Sequence, residues 1–553
     1  MGESQVEKIL NSLAGVLEGE GLKTKPVRAN ESYGDVAVPL FEAERKGVVE
    51  KVVEKIKNVD FLKGALEFKS IENNFLNFAF TKEFYVKTLS ESVACENLKE
   101  GFKGTAVVEF SSPNIGKPLH VGHVRSTILG DSIKRIMERR GWRVFSVNYL
   151  GDSGRQVALM ILAMRKLKME EIESERQLLE AYVKINKQVE ESEELKREVG
   201  NIIEKIERGD KETLKIVKKI REHSIKIFNK AYESLNVSFD DVEGESQFIE
   251  RAVEISGECE KKGVAVFEDG ALIVKLEKHG LPNTVLLRSN GTTVYITRDL
   301  AWADYKNEKY KPDLSVYVTD SRQDNHFQQL FQILKMLGRG YVGTLKHVGY
   351  GVMTVEGKVF STREGNMILL EDILEESRFE ALKELERSGK KYSEIEKREI
   401  SEKVGVAALK FSVLRVRNEK SISFNARQSV SFEGDTGAYI QYAHMRAASI
   451  IEKLKEVGGL ESLNFSFELS EVEKKLASQL AFYGLTVKQA EVEFSPHIIA
   501  DYALKTAHLF NTFYVSSPVV KSGNGLRVLI VERVEEVLKE CLEMLGIETL
   551  EKM

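Results

Sequence analysis

The chain is long, mixed in composition and mildly acidic, and these properties exclude several classes of protein. Its 553 residues exceed the roughly 250–300 at which one hydrophobic core stops growing, so about two to four domains are expected. With 42% apolar and 30% charged residues, it is typical of a globular rather than a disordered protein. A polar start, no run of ~18 apolar residues and three widely spaced cysteines predict a cytoplasmic protein without a signal peptide, membrane span or disulfide framework.

The net charge of −5 does not by itself indicate a nucleic-acid partner. An acidic protein can still bind RNA if basic residues gather on one face. One such cluster is formed by Lys134, Arg135, Arg139 and Arg140. Taken alone, a cluster of this kind is more often the solvated surface of a helix.

The first hundred residues predict a small α+β domain. Apolar residues recur with helical spacing over Gln5–Glu18 and Val49–Ile56. Alternating apolar residues over Glu67–Phe80 predict strands after the second helix.

A change to α/β character begins at Thr105. Thr105–Phe110 is a short apolar strand, and Ser111–Pro118 is a loop rich in Ser, Pro, Asn and Gly. His120–Arg139 carries helical spacing and is followed by a second strand, Trp142–Tyr149. Strand, loop, helix and strand within this short stretch predict one βαβ unit of a parallel sheet.

Charged helices interrupt this pattern from residue 165 to about 285, and we interpret the segment as an insertion. Its long helices are predicted at Glu171–Arg197 and Asn201–Phe228. The α/β pattern returns with a strand at Thr293–Thr297, a helix from near Arg298 and a strand from residue 314 to 319.

From about residue 371 the chain is predicted to be nearly all helical, which completes a division into four domains. These are residues 1–100, the α/β domain 101–370 with its insertion, a helical connector 371–434 and a helical domain 435–553.

The most informative segment is Glu109–His123, which joins the first strand of the α/β region to its helix. A helix N-terminus attracts phosphate because its N–H groups are unsatisfied and its dipole is positive there. His120 and His123 share one face of the first turn, Gly122 leaves room for a flat ligand near the backbone, and Lys117 lies just upstream. The two histidines could instead be metal ligands or ordinary helix-start residues, although no third metal ligand is evident.

The whole stretch resembles the HIGH signature of class I aminoacyl-tRNA synthetases in its arginyl form, with Val121 in place of isoleucine. The segment 358–366 resembles the second signature of that family, KMSKS. The usual first lysine falls on Val359 and the later catalytic lysine is missing. In family members that lack this lysine, the lysine before HIGH is held to replace it, which implies that Lys117 acts here. Without the resemblance, the second segment is only a polar turn.

This resemblance implies a set of nucleotide-binding and catalytic residues. The implied ATP-binding residues are Lys117, His120, Gly122, His123, Lys358, Ser361 and Arg363, of which Lys117, His120 and His123 are also catalytic.

A second set of residues is predicted from the needs of a guanidinium group, which is planar, permanently charged and carries only donors. Tyr295 and Asp299 resemble the Tyr-x-x-x-Asp element that holds the substrate guanidinium in arginyl-tRNA synthetases. Each residue alone is ambiguous, because an Asp at a helix start is commonly a cap and a Tyr is commonly core. The resemblance further implies that Glu109, Asn114, His120 and Gln323 contact the amino acid.

The two ends of the chain extend the resemblance. Residues 435–553 are similar to the helical DALR-type anticodon-binding domain, and residues 1–100 to the N-terminal domain implied to contact the tRNA elbow. The implied fold is a Rossmann-type parallel-sheet domain with a helical insertion, an α+β N-terminal domain and an all-α C-terminal domain. The implied activity is ligation of L-arginine to tRNA(Arg) with ATP and Mg²⁺, and a monomer is expected.

Two alternatives remain at the level of sequence. A ligase of the HIGH type for another substrate would keep the ATP-binding loop but lack Tyr295 and Asp299. An inactive RNA-binding relative would be expected to have lost His120, His123 or Lys117, and all three are present.

Overall fold

A computed structural model describes the protein over residues 4–20, 22–30, 32–40, 46–91, 102–169, 172, 174–356, 368–456 and 463–551. The chain forms two compact units. The first unit contains residues 1–102, 139–141 and 431–553, and the second contains residues 103–138 and 142–430. Across the described ranges, no helix has the length and apolar character needed to cross a bilayer.

The N-terminal part of the first unit is an antiparallel sheet flanked by helices. Its elements are α1 (Gln5–Gly19), β1 (Val27–Arg28), β2 (Val36–Pro39), α2 (Lys46–Asn58), α3 (Asp60–Ala65), β3 (Leu66–Glu72), β4 (Phe75–Phe80) and α4 (Lys82–Ser90). The strand order is β1-β2-β4-β3. Helix α1 begins where the Ser4 hydroxyl accepts a hydrogen bond from the N–H of Glu7. The predicted helices and the strands within Glu67–Phe80 are therefore confirmed.

The second unit contains a mainly parallel α/β fold. Its elements are β5 (Gly104–Glu109), α5 (Val121–Arg139), β6 (Trp142–Leu150), α6 (Arg155–Lys166), α7 (Glu175–Glu191), α8 (Glu193–Glu207), α9 (Lys211–Ser234), β7 (Asp241–Gly244), α10 (Ile249–Lys261), β8 (Val266–Glu268), β9 (Ala271–Val274), β10 (Thr284–Leu287), α11 (Tyr295–Tyr310), β11 (Leu314–Asp320), α12 (Asp324–Met336), β12 (Leu345–Tyr350), β13 (Met353–Val355), α13 (Leu370–Arg387), α14 (Glu394–Leu414), β14 (Ile422–Phe424) and α15 (Ala426–Ser429).

The central sheet of this unit has five parallel strands in the order β12-β11-β5-β6-β7. The predicted βαβ unit is confirmed by the parallel pairing of β5 with β6. Strands β5 and β11 are neighbours in the sheet but far apart in the sequence, so the strand order reverses between them. Ligands of such folds bind outside the carboxyl ends of the strands at this point of reversal.

The insertion differs from its prediction in three ways. The helix predicted over Asn201–Phe228 is divided, because α8 ends at Glu207 and α9 begins at Lys211 after Asp210, whose carboxylate accepts the N–H of Thr213. The helix predicted over Glu171–Arg197 is divided at Ser192, which ends α7 and whose hydroxyl accepts the N–H of Leu195 to begin α8. Strand β7 lies inside the predicted insertion but pairs with β6 in the central sheet. Its four residues, Asp-Val-Glu-Gly, are too few and too polar to show the alternation of a strand.

The C-terminal part of the first unit is helical, as predicted. Its elements are α16 (Gly437–Glu456), α17 (Glu471–Ala481), α18 (Tyr483–Val492), α19 (His497–Ser516) and α20 (Gly525–Met544). These helices pack against the N-terminal part of the same unit. The guanidinium of Arg28 donates to Oε1 of Gln479 at 2.6 Å, and that of Arg533 donates to the carbonyl of Leu89 at 2.6 Å. The two ends of the chain thus form one compact body.

Candidate functional site

A cavity of about 520 Å³ lies in the second unit at the point of reversal between β5 and β11. Its wall combines the ends of the central strands, the start of α5 and the first turns of α11 and α12. Of the predicted site residues, it is lined by Glu109, Asn114, His120, Gly122, His123, Tyr295, Asp299 and Gln323. The structure therefore brings all six predicted arginine-binding residues, and three of the predicted ATP-binding residues, to one cavity.

The two histidines lie against each other at the start of α5. Their ring centroids are 4.1 Å apart, and Nδ1 of His120 accepts the N–H of Gly122 at 3.1 Å. A Cβ at position 122 would lie 2.9 Å from Cε1 of His120 and would displace that ring. Glycine is therefore required for the close packing of the imidazole on the backbone.

Both histidines are held in the neutral form. Burial lowers the pKa of His120 to about 4, and the charge of Lys117 contributes in the same direction. Burial, followed by the charges of His120 and Lys117, lowers the pKa of His123 well below 6.5. Near neutral pH the pair can therefore donate hydrogen bonds to phosphate oxygens without changing protonation.

Lys117 lies close enough to affect both histidines but does not line the cavity. Its side chain is buried, and its ammonium lies 4.2 Å from the ring centroid of Tyr182 on α7. Burial lowers the pKa of Lys117 to about 8. The adjacent Gly116 donates its N–H to the hydroxyl of Ser224 on α9, so two helices of the insertion, α7 and α9, contact this loop.

Tyr295 and Asp299 both belong to α11, so the strand predicted over Thr293–Thr297 is wrong. The run of β-branched and aromatic residues suggested a strand, but Thr297 stabilises a helical turn. Its hydroxyl accepts the N–H of Val294 at 3.4 Å and donates to the carbonyl of Leu286 at 2.6 Å. Because they are four positions apart in a helix, Tyr295 and Asp299 share one face.

The two acidic residues of the predicted amino-acid site each have a fixed partner. Oδ2 of Asp299 lies 2.7 Å from Nε2 of His326. Oε2 of Glu109 accepts hydrogen bonds from Nε1 of Trp302 at 2.7 Å and Nζ of Lys306 at 2.6 Å. Because one oxygen of each carboxylate is held, the group keeps one orientation while it lines the cavity.

Asn114 and Gln323 complete the predicted set. Asn114 pairs with Gly151 at the end of β6, where a Cβ would lie only 2.0 Å from its Oδ1. Glycine at 151 is thus needed to admit the amide side chain. Gln323 is exposed in a short turn between β11 and α12 and borders the cavity.

Several cavity residues were not predicted from the sequence. Glu245 accepts from Nε of Arg298 at 3.2 Å and from the hydroxyl of Ser153 at 2.9 Å. Burial raises the pKa of Glu245 to about 7, although Arg298 opposes the shift. Tyr149 and His326 also line the cavity. In the sequence, these residues are marked only by their position at the end of a strand or the start of a helix. Many polar residues occupy such positions without binding a ligand.

Lys358, Ser361 and Arg363 lie outside the described residues. Immediately after that segment, the chain is held near the histidines. The N–H of Val121 donates to the carbonyl of Ile368 at 3.4 Å, and that of Leu370 donates to the carbonyl of Leu119 at 3.2 Å. Within the described ranges, no group of three or more His, Cys, Asp or Glu side chains is arranged to hold a metal ion.

Two family models match this chain. Residues 86–425 match the model for tRNA synthetases class I (R), catalytic domain. Residues 440–553 match the model for the DALR anticodon binding domain.

Curated relatives match over nearly their whole length. An arginine–tRNA ligase of Ligilactobacillus salivarius is 35% identical over 546 residues, which cover 96% of this chain and 95% of that protein. One from Clostridium kluyveri is 33% identical over 573 residues, which cover 100% and 98%.

Solved structures share the fold. The arginyl-tRNA synthetase of Thermus thermophilus matches with a TM-score of 0.83 and 25% identity over 99% of each chain. That of Plasmodium falciparum matches with a TM-score of 0.81 and 23% identity over 100% of each chain. The predicted fold class is thereby confirmed.

Proposed function

Because the chain belongs to the class I arginyl-tRNA synthetase family, we propose that it activates L-arginine with ATP and transfers it to the 3′-terminal adenosine of tRNA(Arg). One observation carries this proposal. A single cavity combines neutral imidazoles at a helix N-terminus, suited to phosphate, with carboxylates suited to a cation.

The first step joins the substrates within that cavity. A carboxylate oxygen of arginine attacks the α-phosphorus of ATP, and the bond to the leaving pyrophosphate breaks. His120 and His123 donate to phosphate oxygens, Gly122 admits the adenine, and Lys117 stabilises charge on the leaving group. Lys358, Ser361 and Arg363 are proposed to assist from the segment between Glu356 and Ile368, whose far end is bonded beside His120.

The amino acid is held by further residues of the same cavity. Tyr295 and Asp299 bind the guanidinium, while Glu109, Asn114, His120 and Gln323 contact the rest of arginine. In the second step a ribose hydroxyl of the tRNA, the 2′-OH by class I habit, attacks the carbonyl carbon of the adenylate, and AMP leaves. Fixed carboxylates match the donors of arginine better than the compact ammonium of lysine, which leaves part of such a site unpaired.

Mg²⁺ is proposed to come with ATP, since it is usually bound by substrate phosphates with few protein ligands. It would neutralise phosphate charge. The DALR-type domain is proposed to bind the anticodon and residues 1–100 the tRNA elbow, within the division into 1–100, 101–370, 371–434 and 435–553. A cytoplasmic monomer fits these roles.

Aminoacylation with each of the twenty amino acids tests the proposal. We expect arginine alone to be attached to tRNA, and only to tRNA(Arg). Comparable charging of lysine would contradict the proposed substrate. Activation is proposed to need tRNA, so strong ATP–pyrophosphate exchange in its absence would contradict that part.

A further inference from the structure

Tyr149 has a fixed ring in the wall of the cavity. It lies on β6, two residues before the turn that holds Asn114, and is only 6% exposed. Its ring stacks on Trp302 with centroids 4.8 Å apart and planes 3° from parallel. Phe248 packs at 6.1 Å. The position of the phenol is therefore set by aromatic packing and not by its hydroxyl.

The hydroxyl of Tyr149 has no hydrogen-bond partner among the described residues, although the atom is buried. Buried polar groups are nearly always paired, and an unpaired one costs free energy. An unpaired phenol in a cavity wall is therefore a sign that a ligand supplies the partner.

The charges around this hydroxyl indicate the chemistry of that ligand. Burial raises the pKa of Tyr149 well above 10, and the carboxylates of Asp299, Glu245 and Glu109 add to the shift in that order. The guanidinium of Arg298 opposes them. The phenol thus stays protonated, and its oxygen can accept a hydrogen bond. A cationic ligand that carries N–H donors fits a phenolic oxygen among three carboxylates.

Resting on the proposed function, we propose that Tyr149 is a further specificity-determining residue, whose Oη accepts an N–H of the arginine guanidinium beside Asp299. The planar fork of arginine has enough donors to serve the phenol and the carboxylate of Asp299 at once. Tyr149 then acts in recognition of arginine and takes no part in phosphate transfer.

Tyr317 provides a matched control. Its hydroxyl is also buried without a partner among the described residues, and its ring lies in the same core. Its ring lies 3.5 Å from Nζ of Lys306, but it does not line the cavity. Any general effect of removing an unpaired phenol from this core should therefore occur in both variants.

Tyr149→Phe and Tyr317→Phe are compared with wild type by aminoacylation kinetics and by thermal unfolding with and without arginine. For Tyr149→Phe we expect KM for arginine to rise about tenfold or more, the value of one hydrogen bond to a charged group, while KM for ATP is unchanged. Its thermal stability without arginine should equal or exceed wild type, because an unpaired buried group is removed. The stabilisation that arginine produces should shrink.

The inference is overturned if KM for arginine in Tyr149→Phe stays within twofold of wild type, or if Tyr317→Phe shows the same increase. A loss of stability without ligand would also contradict it, because it would mean that the hydroxyl has a structural partner. The proposed function is tested separately, since wild type that fails to charge arginine contradicts the substrate itself. The thermal shift with arginine requires no turnover and remains measurable in either case.

Discussion

The two sides of the cavity differ in the charged groups that they present to a ligand. On the side of α5, burial lowers the pKa values of His120, His123 and Lys117, and the causes of those shifts include no carboxylate. On the side of α11, the carboxylates of Asp299 and Glu109 are fixed by His326 and by Lys306. No carboxylate shifts the pKa values of the three groups on the first side, which suits a polyanion, whereas the second side holds oriented negative charge and suits a cation.

A binding site can be completed by the ligand's own charge. In the described parts of the chain, the ammonium of Lys117 packs on the face of Tyr182, an attraction that falls short of a full counter-ion. Asp299, in contrast, already has a partner in His326, which competes with any cation that enters. A bound phosphate therefore supplies Lys117 with a counter-ion on the first side. On the second side, arginine must replace or share the contact that Asp299 already makes with His326.

The largest effect is expected from Asp299→Asn, which removes the negative charge that faces the guanidinium. Leaving a desolvated cation without its carboxylate costs about 3–5 kcal/mol, so kcat/KM for arginine should fall about 10³-fold. Steady-state aminoacylation at varied arginine measures this. Asp269→Asn, on an exposed turn outside the cavity, serves as the control. A decrease of less than tenfold would mean that the guanidinium lies elsewhere.

Lys117→Met should have the next largest effect, about 10²-fold on adenylate formation, because a charge is lost from the leaving group in the transition state. The pH profile gives a second test. The pKa of Lys117 is lowered to about 8, so wild-type kcat/KM for ATP should fall as pH rises through that value and the ammonium loses its proton. The variant should lack this decline.

Lys187→Met, an exposed lysine on the same helix as Tyr182, controls for loss of surface charge. Adenylate formation within a few-fold of wild type in Lys117→Met would remove the assignment. The charge on the leaving group would then have to be stabilised by residues between Glu356 and Ile368.

How far the sequence predicts this site depends on the kind of signal that each residue carries. The loop from Glu109 to His123 was readable because glycine, proline and histidine have special conformations and chemistry at fixed spacing. The position of this loop between a parallel strand and a helix was predicted from the local order of apolar and polar residues. The resemblance implied a parallel sheet, but the order of its strands and the long-range pairing of β5 with β11 were not predicted, since no local pattern encodes them.

Residues that act through tertiary contacts were not predictable. Lys306 and Trp302 have the helical spacing of any core face, and only the fold brings them to Glu109. Tyr295 was placed on a strand because its neighbours favour extended structure, whereas the hydroxyl of Thr297 stabilises a helical start. Local propensity was overridden there by one side-chain contact.

The smallest expected effect concerns the partner of Asp299. Burial lowers the pKa of His326, but the hydrogen bond and charge of Asp299 outweigh this and raise it above 6.5. Below that raised pKa the imidazolium pairs with Asp299 and competes with the guanidinium. KM for arginine should therefore increase as pH falls through it, by about threefold to tenfold.

In His326→Gln this acid-side increase should disappear, while KM near neutral pH changes little because glutamine still donates a hydrogen bond to Asp299. Stability should respond with the opposite sign. A raised folded-state pKa contributes stability below the unfolded value of 6.5, and that stability is lost as pH rises through the folded pKa, so His326→Gln should unfold more easily only in acid. The exposed His279→Gln serves as the control, and an acid-side increase in KM that persists in His326→Gln would show that another group competes for the cation.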